Sequence, residues 1–458
     1  MQDASRLDEL LACPRCDKKP LDRSTDGHRC SACKADFPDI GGIPWLFADA
    51  ESTLGEWRNR LHHSLQQLTH ESQRIKAELI AEDRRALTRK RLEQQLAATD
   101  KHKKMLRQML SPVDVQSMQA SYESQLALRT RLPTDQGLNT YYANVHRDWA
   151  WGGTENDASL AQIRSVLPKD AVLGKVLVPG AGACRLAYDL HMQLHAESTV
   201  AVDFNPLLLL IAKQMVSGEQ LQMYEFPIAP KSLDDFAVLR KLQAPEPVRE
   251  NFFLVLADVL RPPFPTGAFD TVVTPWLIDI VSEDLPAFAA RINYLLRPGG
   301  RWINFGSLTF DTPERSRRYS PEEVLVIAEE CGFASPQVTQ ATIPYMCSPA
   351  SRHGRQETVF TFSAEKQQEV ESPGRHIALP DWIVTGNEPV PLLPSFRTQA
   401  MSTQIYSFIM SLIDGKRSIR DMAKVLEQQK LMSRKEAEPA IRNFLTRMYD
   451  DSQRSSGY

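Results

Sequence analysis

The strongest constraint on this chain is a set of five short apolar runs, at 176–178, 200–202, 252–256, 271–274 and 302–305. They alternate with longer helical stretches across residues 165–365. Such alternation implies parallel strands, because each helical crossover returns the chain to the same end of the sheet. Helical stretches between successive runs imply a sheet covered on both faces. The expected fold is therefore α/β, a mainly parallel sheet with helices on both sides.

At 458 residues the chain is too long for one ordinary core, and composition marks the joints. Residues 1–48 hold two close cysteine pairs and many turn formers. Residues 49–135 are rich in Gln, Leu, Lys, Arg and Glu, and Leu92, Leu96, Leu106 and Leu110 recur at helical spacing. A helical connector is expected there, broken at Ser111-Pro112. The sheet occupies residues 136–368. Residues 369–458 start with a proline-rich arm (Pro373, Pro380, Pro389, Pro391, Pro394) and end in a small helical or winged-helix module.

The hydrophobic fraction of 42% and charged fraction of 24% suit a soluble globular protein. A net charge of −3 gives no global attraction to nucleic acid or anionic membrane. No apolar run approaches the ~18–20 residues of a membrane span. The N-terminus lacks a basic stretch followed by an apolar one. A cytoplasmic location is expected, with no nucleic-acid or membrane partner.

Cys13-x-x-Cys16, thirteen residues, then Cys30-x-x-Cys33 forms a strong metal pattern. Each pair makes a knuckle, and two knuckles complete a closed tetrahedral site for structural Zn²⁺. A redox pair or unconnected thiols are the competing readings. The seven cysteines are odd in number, and Cys184, Cys331 and Cys347 are scattered, which suits a reducing compartment better than a disulfide framework.

The first informative site lies at Lys175-Val-Leu-Val-Pro-Gly180-Ala-Gly182. A strand runs into two glycines and then a helix, whose free N–H groups can meet a ligand. A plain turn is the alternative. A second strand ends in Asp203, placed to reach a ribose diol. The pair fits a dinucleotide too, but Arg185 stands where the dinucleotide pattern wants its third glycine. A third strand ends in Asp258. Gly267-Ala-Phe-Asp270 opens a fourth strand, and Leu295-Leu-Arg-Pro-Gly-Gly-Arg-Trp302 leads into a fifth. In this order the segments resemble class I methyltransferases that use S-adenosylmethionine (SAM). That resemblance implies a donor site at Gly180, Gly182, Asp203 and Asp258. Arg185 is a candidate for the donor carboxylate.

More narrowly, residues 140–366 resemble the carnosine N-methyltransferase family. The matching stretches are His146-Arg147-Asp148-Trp149, Val178-Pro-Gly-Ala-Gly182, Trp276-Leu-Ile-Asp279 and Gly299-Gly-Arg-Trp-Ile-Asn-Phe-Gly306. The resemblance implies that Asp279 contacts the acceptor imidazole and that Arg147 and Trp149 cover the site. A helix cap or a solvated loop acid is the other reading of Asp279. The chain departs from the family at Leu308-Thr-Phe-Asp311, where Asp311 stands for a histidine, and at His353-Gly-Arg-Gln-Glu357. Cys184 holds the place of a further glycine. Asp279 and Asp311 are the catalytic candidates, and with Glu357 they suggest a cationic acceptor.

The implied function is SAM-dependent N-methylation of an imidazole- or other nitrogen-bearing small molecule or peptide. Its rivals are a protein or RNA methyltransferase that grips its substrate with the ribbon, and a non-catalytic scaffold. The ribbon resembles modules that partner methyltransferases, where they recognise a macromolecule or buttress the enzyme. In the tail, Ile405, Phe408, Ile409, Leu412 and Ile413 form an apolar stripe before Asp414-Gly415 and the cap Ser418. This segment resembles the peptide chaperone of pyrroloquinoline quinone biosynthesis, which implies a peptide or protein partner. A helical packing cap without a ligand is the alternative.

Overall fold

The structure, a computed structural model, describes residues 4–81, 83–115, 141–310, 312, 314–375 and 388–455. The chain divides into two compact units, Met1–Pro380 and Asp381–Tyr458.

The first unit opens with β1 (Leu21–Ser24), β2 (Gly27–Cys30), β3 (Asp36–Ile40) and β4 (Ile43–Leu46), followed by the helices Ala50–Ile80 and Ala86–Met109. Then come β5 (Lys175–Pro179), β6 (Ser198–Asp203), β7 (Leu221–Glu225), β8 (Val238–Leu242) and β9 (Phe252–Ala257). The series ends with β10 (Phe269–Pro275), β11 (Leu296–Gly306), β12 (Phe333–Tyr345) and β13 (Arg355–Lys366). The described strands form an eleven-stranded sheet in the order β1-β2-β3-β4-β9-β6-β5-β10-β11-β13-β12, with β7 and β8 as a separate hairpin. From β4 to β11 every pairing is parallel, and β13 and β12 close the sheet antiparallel. This is an α/β, Rossmann-like sheet.

Burial follows position in the sheet. All six residues of central β6 are buried, whereas edge strand β12 alternates between covered and exposed faces. Inside, Trp302 is fully buried and donates its indole N–H to Thr274 Oγ1 at 3.0 Å. The four-cysteine segment is not a separate bead. Its last strand, β4, lies parallel to β9 with Trp45 opposite Leu256 and Leu46 opposite Ala257, so it lengthens the main sheet. Nothing in the apolar pattern of 43–46 shows that partner, because pairing across two hundred residues leaves no local signal.

The helical pair packs through Ser72 and Asp100, whose side chains meet at 2.9 Å. His102 sits edge-on to Tyr142 and Phe226, while His146 and Tyr142 both reach the carbonyl of Tyr224. Burial pushes His102, His146 and His191 down to about 4. The unfolded chain would protonate them near pH 6.5. Their contribution is therefore complete above about pH 6.5 and is lost as pH falls toward 4. The melting temperature should decline steeply across that window, and a flat profile from pH 7 to 4.5 would contradict three buried neutral imidazoles.

The second unit has three helices, Pro394–Ser411, Ile419–Gln428 and Arg434–Ser455, around Ile409, Leu412, Met422, Leu426 and Ile441. Its described residues include no strand. Ser418 caps the second helix in a reciprocal box with Asp421. Ile413, at the end of the expected apolar stripe, is exposed.

Among the described residues no helix is long and apolar enough to cross a membrane.

Candidate active site

A cavity of about 1070 Å³ opens at the carboxyl ends of β5, β6, β9, β10 and β11. This is where open α/β sheets place ligands, since strand order reverses between β5 and β10. Drug-sized ligands occupy roughly 300–1,000 Å³, so the cavity has room for two small reactants together.

Gly180 and Gly182 line one end. Both take left-handed backbone, with φ of 66° and 57°. A side chain on Gly180 would lie 2.8 Å from Leu277, whereas one on Gly182 would enter open space. The turn is thus a cradle open toward the cavity. Asp203, also lining it, accepts from the amides of Gly182 and Asn205, each at 2.8 Å. Burial pushes its carboxyl up to about 6, against the pull of the amides of Asn205, Gly182 and Phe204. Asp258 lines the cavity one strand further on and accepts from Leu260 N–H at 2.8 Å.

The two arginines exchange places relative to the sequence-based expectation. The Arg185 guanidinium donates to Asp189 at 2.9 Å and to the Asp148 carbonyl at 3.0 Å, and it packs over Trp149. It is not among the residues that line the cavity. Arg147 does line it. Burial disfavours the Arg147 charge, but Asp148 at 2.7 Å and Glu155 at 3.3 Å more than restore it. Trp149 sits behind the wall, where its indole N–H donates to Ala183 O at 2.8 Å and holds the glycine turn.

At the other end, Asp279 lines the cavity and is almost fully buried. Its Oδ2 accepts from Ser307 Oγ at 2.8 Å and from Thr309 N–H at 3.0 Å. Its Oδ1 has no hydrogen-bond partner among the described residues. The cap of the following helix is Asp284, not Asp279, so Asp279 is free of that task. Trp276 turns the chain here with φ of 50°, rare for a bulky residue. Its N–H donates to Phe305 O at 2.7 Å, and Gly306 leaves the room that a Cβ would fill. Trp276 and Tyr345 stand 4.7 Å apart as an aromatic wall.

Asp311 lies outside the described residues. Glu357 is paired with Arg355 at 2.7 Å and does not line the cavity. The acidity comes from elsewhere, since eight carboxylates and four guanidiniums line the cavity. Sequence reasoning assigned no role to Trp276, Tyr345 or Phe47, which also lines it. The left-handed turn at Trp276 is the kind of feature only a structure reveals.

The four thiols of Cys13, Cys16, Cys30 and Cys33 lie within 4.8 Å of one another. Cys13–Cys33 and Cys16–Cys30 sulfurs are each 3.6 Å apart. A Zn–S bond of about 2.3 Å gives a tetrahedral edge of about 3.8 Å, so the sulfurs fit a single ion.

The family model for carnosine N-methyltransferase matches residues 136–368, half of the chain. The Drosophila melanogaster protein described as carnosine N-methyltransferase unmet is 26% identical over 35% of this chain and 38% of its own length. The Mus musculus carnosine N-methyltransferase is 26% identical over 41% of this chain and 52% of its own. The chain thus spans about half or less of these relatives. A SAM-dependent methyltransferase of Thermotoga maritima aligns over 49% of this chain and 92% of its own, with 14% identity and a TM-score of 0.30.

Proposed function

The chain belongs to the carnosine N-methyltransferase family, and from that premise we propose that it moves a methyl group from SAM to a nitrogen of a small imidazole- or amine-bearing molecule or peptide. One observation carries the reading: Asp279, almost fully buried and with no hydrogen-bond partner on its Oδ1 among the described residues, lines the same cavity as the open glycine cradle and Asp203.

When bound, the sulfonium donor supplies an already activated methyl group. The chain's residues then bind and aim. Asp203 accepts from the ribose hydroxyls, Gly180 and Gly182 let the backbone approach, and Asp258 accepts from the adenine amino group. Arg147 faces the donor carboxylate. At the acceptor end, Asp279 Oδ1 accepts the N–H of one ring nitrogen and fixes the tautomer. The other nitrogen's lone pair forms the N–C bond as the C–S bond breaks, and sulfur leaves with the bonding pair. Asp279 stabilises the imidazolium until its N–H proton passes to solvent. Trp276 and Tyr345 flank the ring, and the excess of carboxylates favours a cationic acceptor whose positive charge sits on a group other than the attacking nitrogen. Asp311 remains our second catalytic candidate.

The four cysteines hold a structural Zn²⁺, a closed shell with no position for water. Cysteines used as metal ligands, with no disulfide among the described residues, suit a reducing compartment, and we place the protein in the cytoplasm.

Donor binding by calorimetry tests the first half of this reading. S-adenosylhomocysteine should bind the wild-type chain, and Asp203→Asn should weaken it by about tenfold or more. An absence of binding would favour a silent scaffold. Protonation supplies an independent check. The folded chain keeps the Asp203 proton up to about pH 6, whereas the unfolded chain loses it near pH 4. This group alone lowers stability as pH rises through that window. Ligand binding runs the other way, because a ribose diol needs the ionised acceptor. Affinity should rise as pH passes from 5 to 7, and a pH-independent affinity would remove Asp203 from the site.

A further inference from the structure

We infer that the segment leaving the four-cysteine ribbon, residues 47–53, forms the wall of the adenosine subsite, so that the ribbon's integrity sets donor affinity. The inference rests on the methyl-donor reading above. β4 ends beside β9, and one residue beyond their last pair, Phe47 and Asp258 both line the cavity. Ala48 and Thr53 line it as well.

The segment is fixed from both sides. Trp45 donates its indole N–H to Ala50 O at 2.9 Å, and Asp49 Oδ1 accepts from Ser52 N–H at 3.2 Å. Behind it, fully buried Trp57 lies 6.0 Å from Phe204, which follows the ribose acid Asp203 and lines the cavity. Phe47 is itself buried, with its ring 4.6 Å from Trp45. An aromatic wall beside an acid at the end of β9 is suited to a flat, amine-bearing purine.

A direct tie runs from the cavity to the metal knuckle. Arg261 lines the cavity, and its Nη2 donates to Pro14 O at 2.9 Å, between Cys13 and Cys16. Ala12 N–H donates to Pro263 O at 2.8 Å beside it. None of residues 12–53 lies within the stretch that the family model matches. The ribbon thus builds part of the donor site rather than serving as a detached recognition module.

Calorimetry on the full chain tests this with two probes, S-adenosylhomocysteine and 5′-methylthioadenosine, which lacks the amino-acid tail. Phe47→Leu and Phe47→Ala should each weaken both probes by a similar factor, about tenfold or more for the alanine. Thr53→Val, a smaller change on the same wall, should weaken both by severalfold and keeps the test usable if Phe47→Ala unfolds. Asp203→Asn serves as the site control. If Asp203→Asn loses binding while the Phe47 and Thr53 variants stay within twofold of wild type, the wall is overturned and the donor reading stands. If the wild-type chain binds neither probe, the donor reading fails and the inference with it.

Discussion

Asp279→Ala is expected to lower kcat for an imidazole acceptor by roughly 10²–10³-fold, the usual cost of removing one preorganised electrostatic group, while S-adenosylhomocysteine affinity stays within about twofold. The asymmetry follows from position. Asp279 lies past β10, whereas the glycine cradle, Asp203 and Asp258 follow β5, β6 and β9. Its Oδ2 is held by Ser307 and Thr309, which leaves Oδ1 aimed with little freedom. Removing it takes away the acceptor of the ring N–H and the partner of the cation formed as the methyl arrives. Asp279→Asn keeps the volume but presents a neutral group, so it should recover little of the rate. Equal losses of donor binding and turnover would instead mean that Asp279 shapes the whole cavity.

Removal of the metal is expected to have the largest structural effect. Structural Zn²⁺ contributes on the order of 10–16 kcal/mol of apparent binding energy in small ribbons, more than most domains have as net stability. β1 to β4 are four or five residues each, too short to hold together alone. The purified chain should contain one equivalent of zinc. Chelation under denaturant-free conditions, or Cys16→Ser, should erase hydrogen-exchange protection at residues 21–46 and free additional reactive thiols, four on chelation and three in the variant. The sheet from β5 to β13 supplies most of the buried core that it shares with the ribbon, and it should keep its protection. Metal-free protein with unchanged protection at residues 21–46 would show that the sulfurs cluster for another reason.

Several parts of the site were legible in the sequence because their geometry is local. A strand, a tight turn and the start of a helix lie close together in the chain, so Gly180, Gly182, Asp203 and Asp258 could be picked out from their order and spacing together with the resemblance to methyltransferases. The cysteine pairs are local in the same sense. Arg185 shows the limit. Its i,i+4 partner Asp189 was visible in the sequence and takes up its charge. Arg147 reaches the cavity because Asp148 and Glu155 hold it there, a choice made by packing between helices. The pairing of β4 with β9 and the entry of Phe47 into the cavity depend on contacts over two hundred residues apart, and no periodicity encodes them. Trp276 was quoted within a motif, but its left-handed turn depends on the space left by Gly306 thirty residues later.

The central claim, methyl transfer to nitrogen, is tested most directly by mass spectrometry of the full chain incubated with deuteromethyl-labelled SAM. Carnosine, histidine, histidine-containing peptides and a metabolite extract would serve as acceptors. A labelled methyl on a nitrogen of an imidazole or amine, absent with Asp279→Ala, is the expected result. Donor bound at the glycine cradle, with label on no nitrogen of any acceptor, would contradict it.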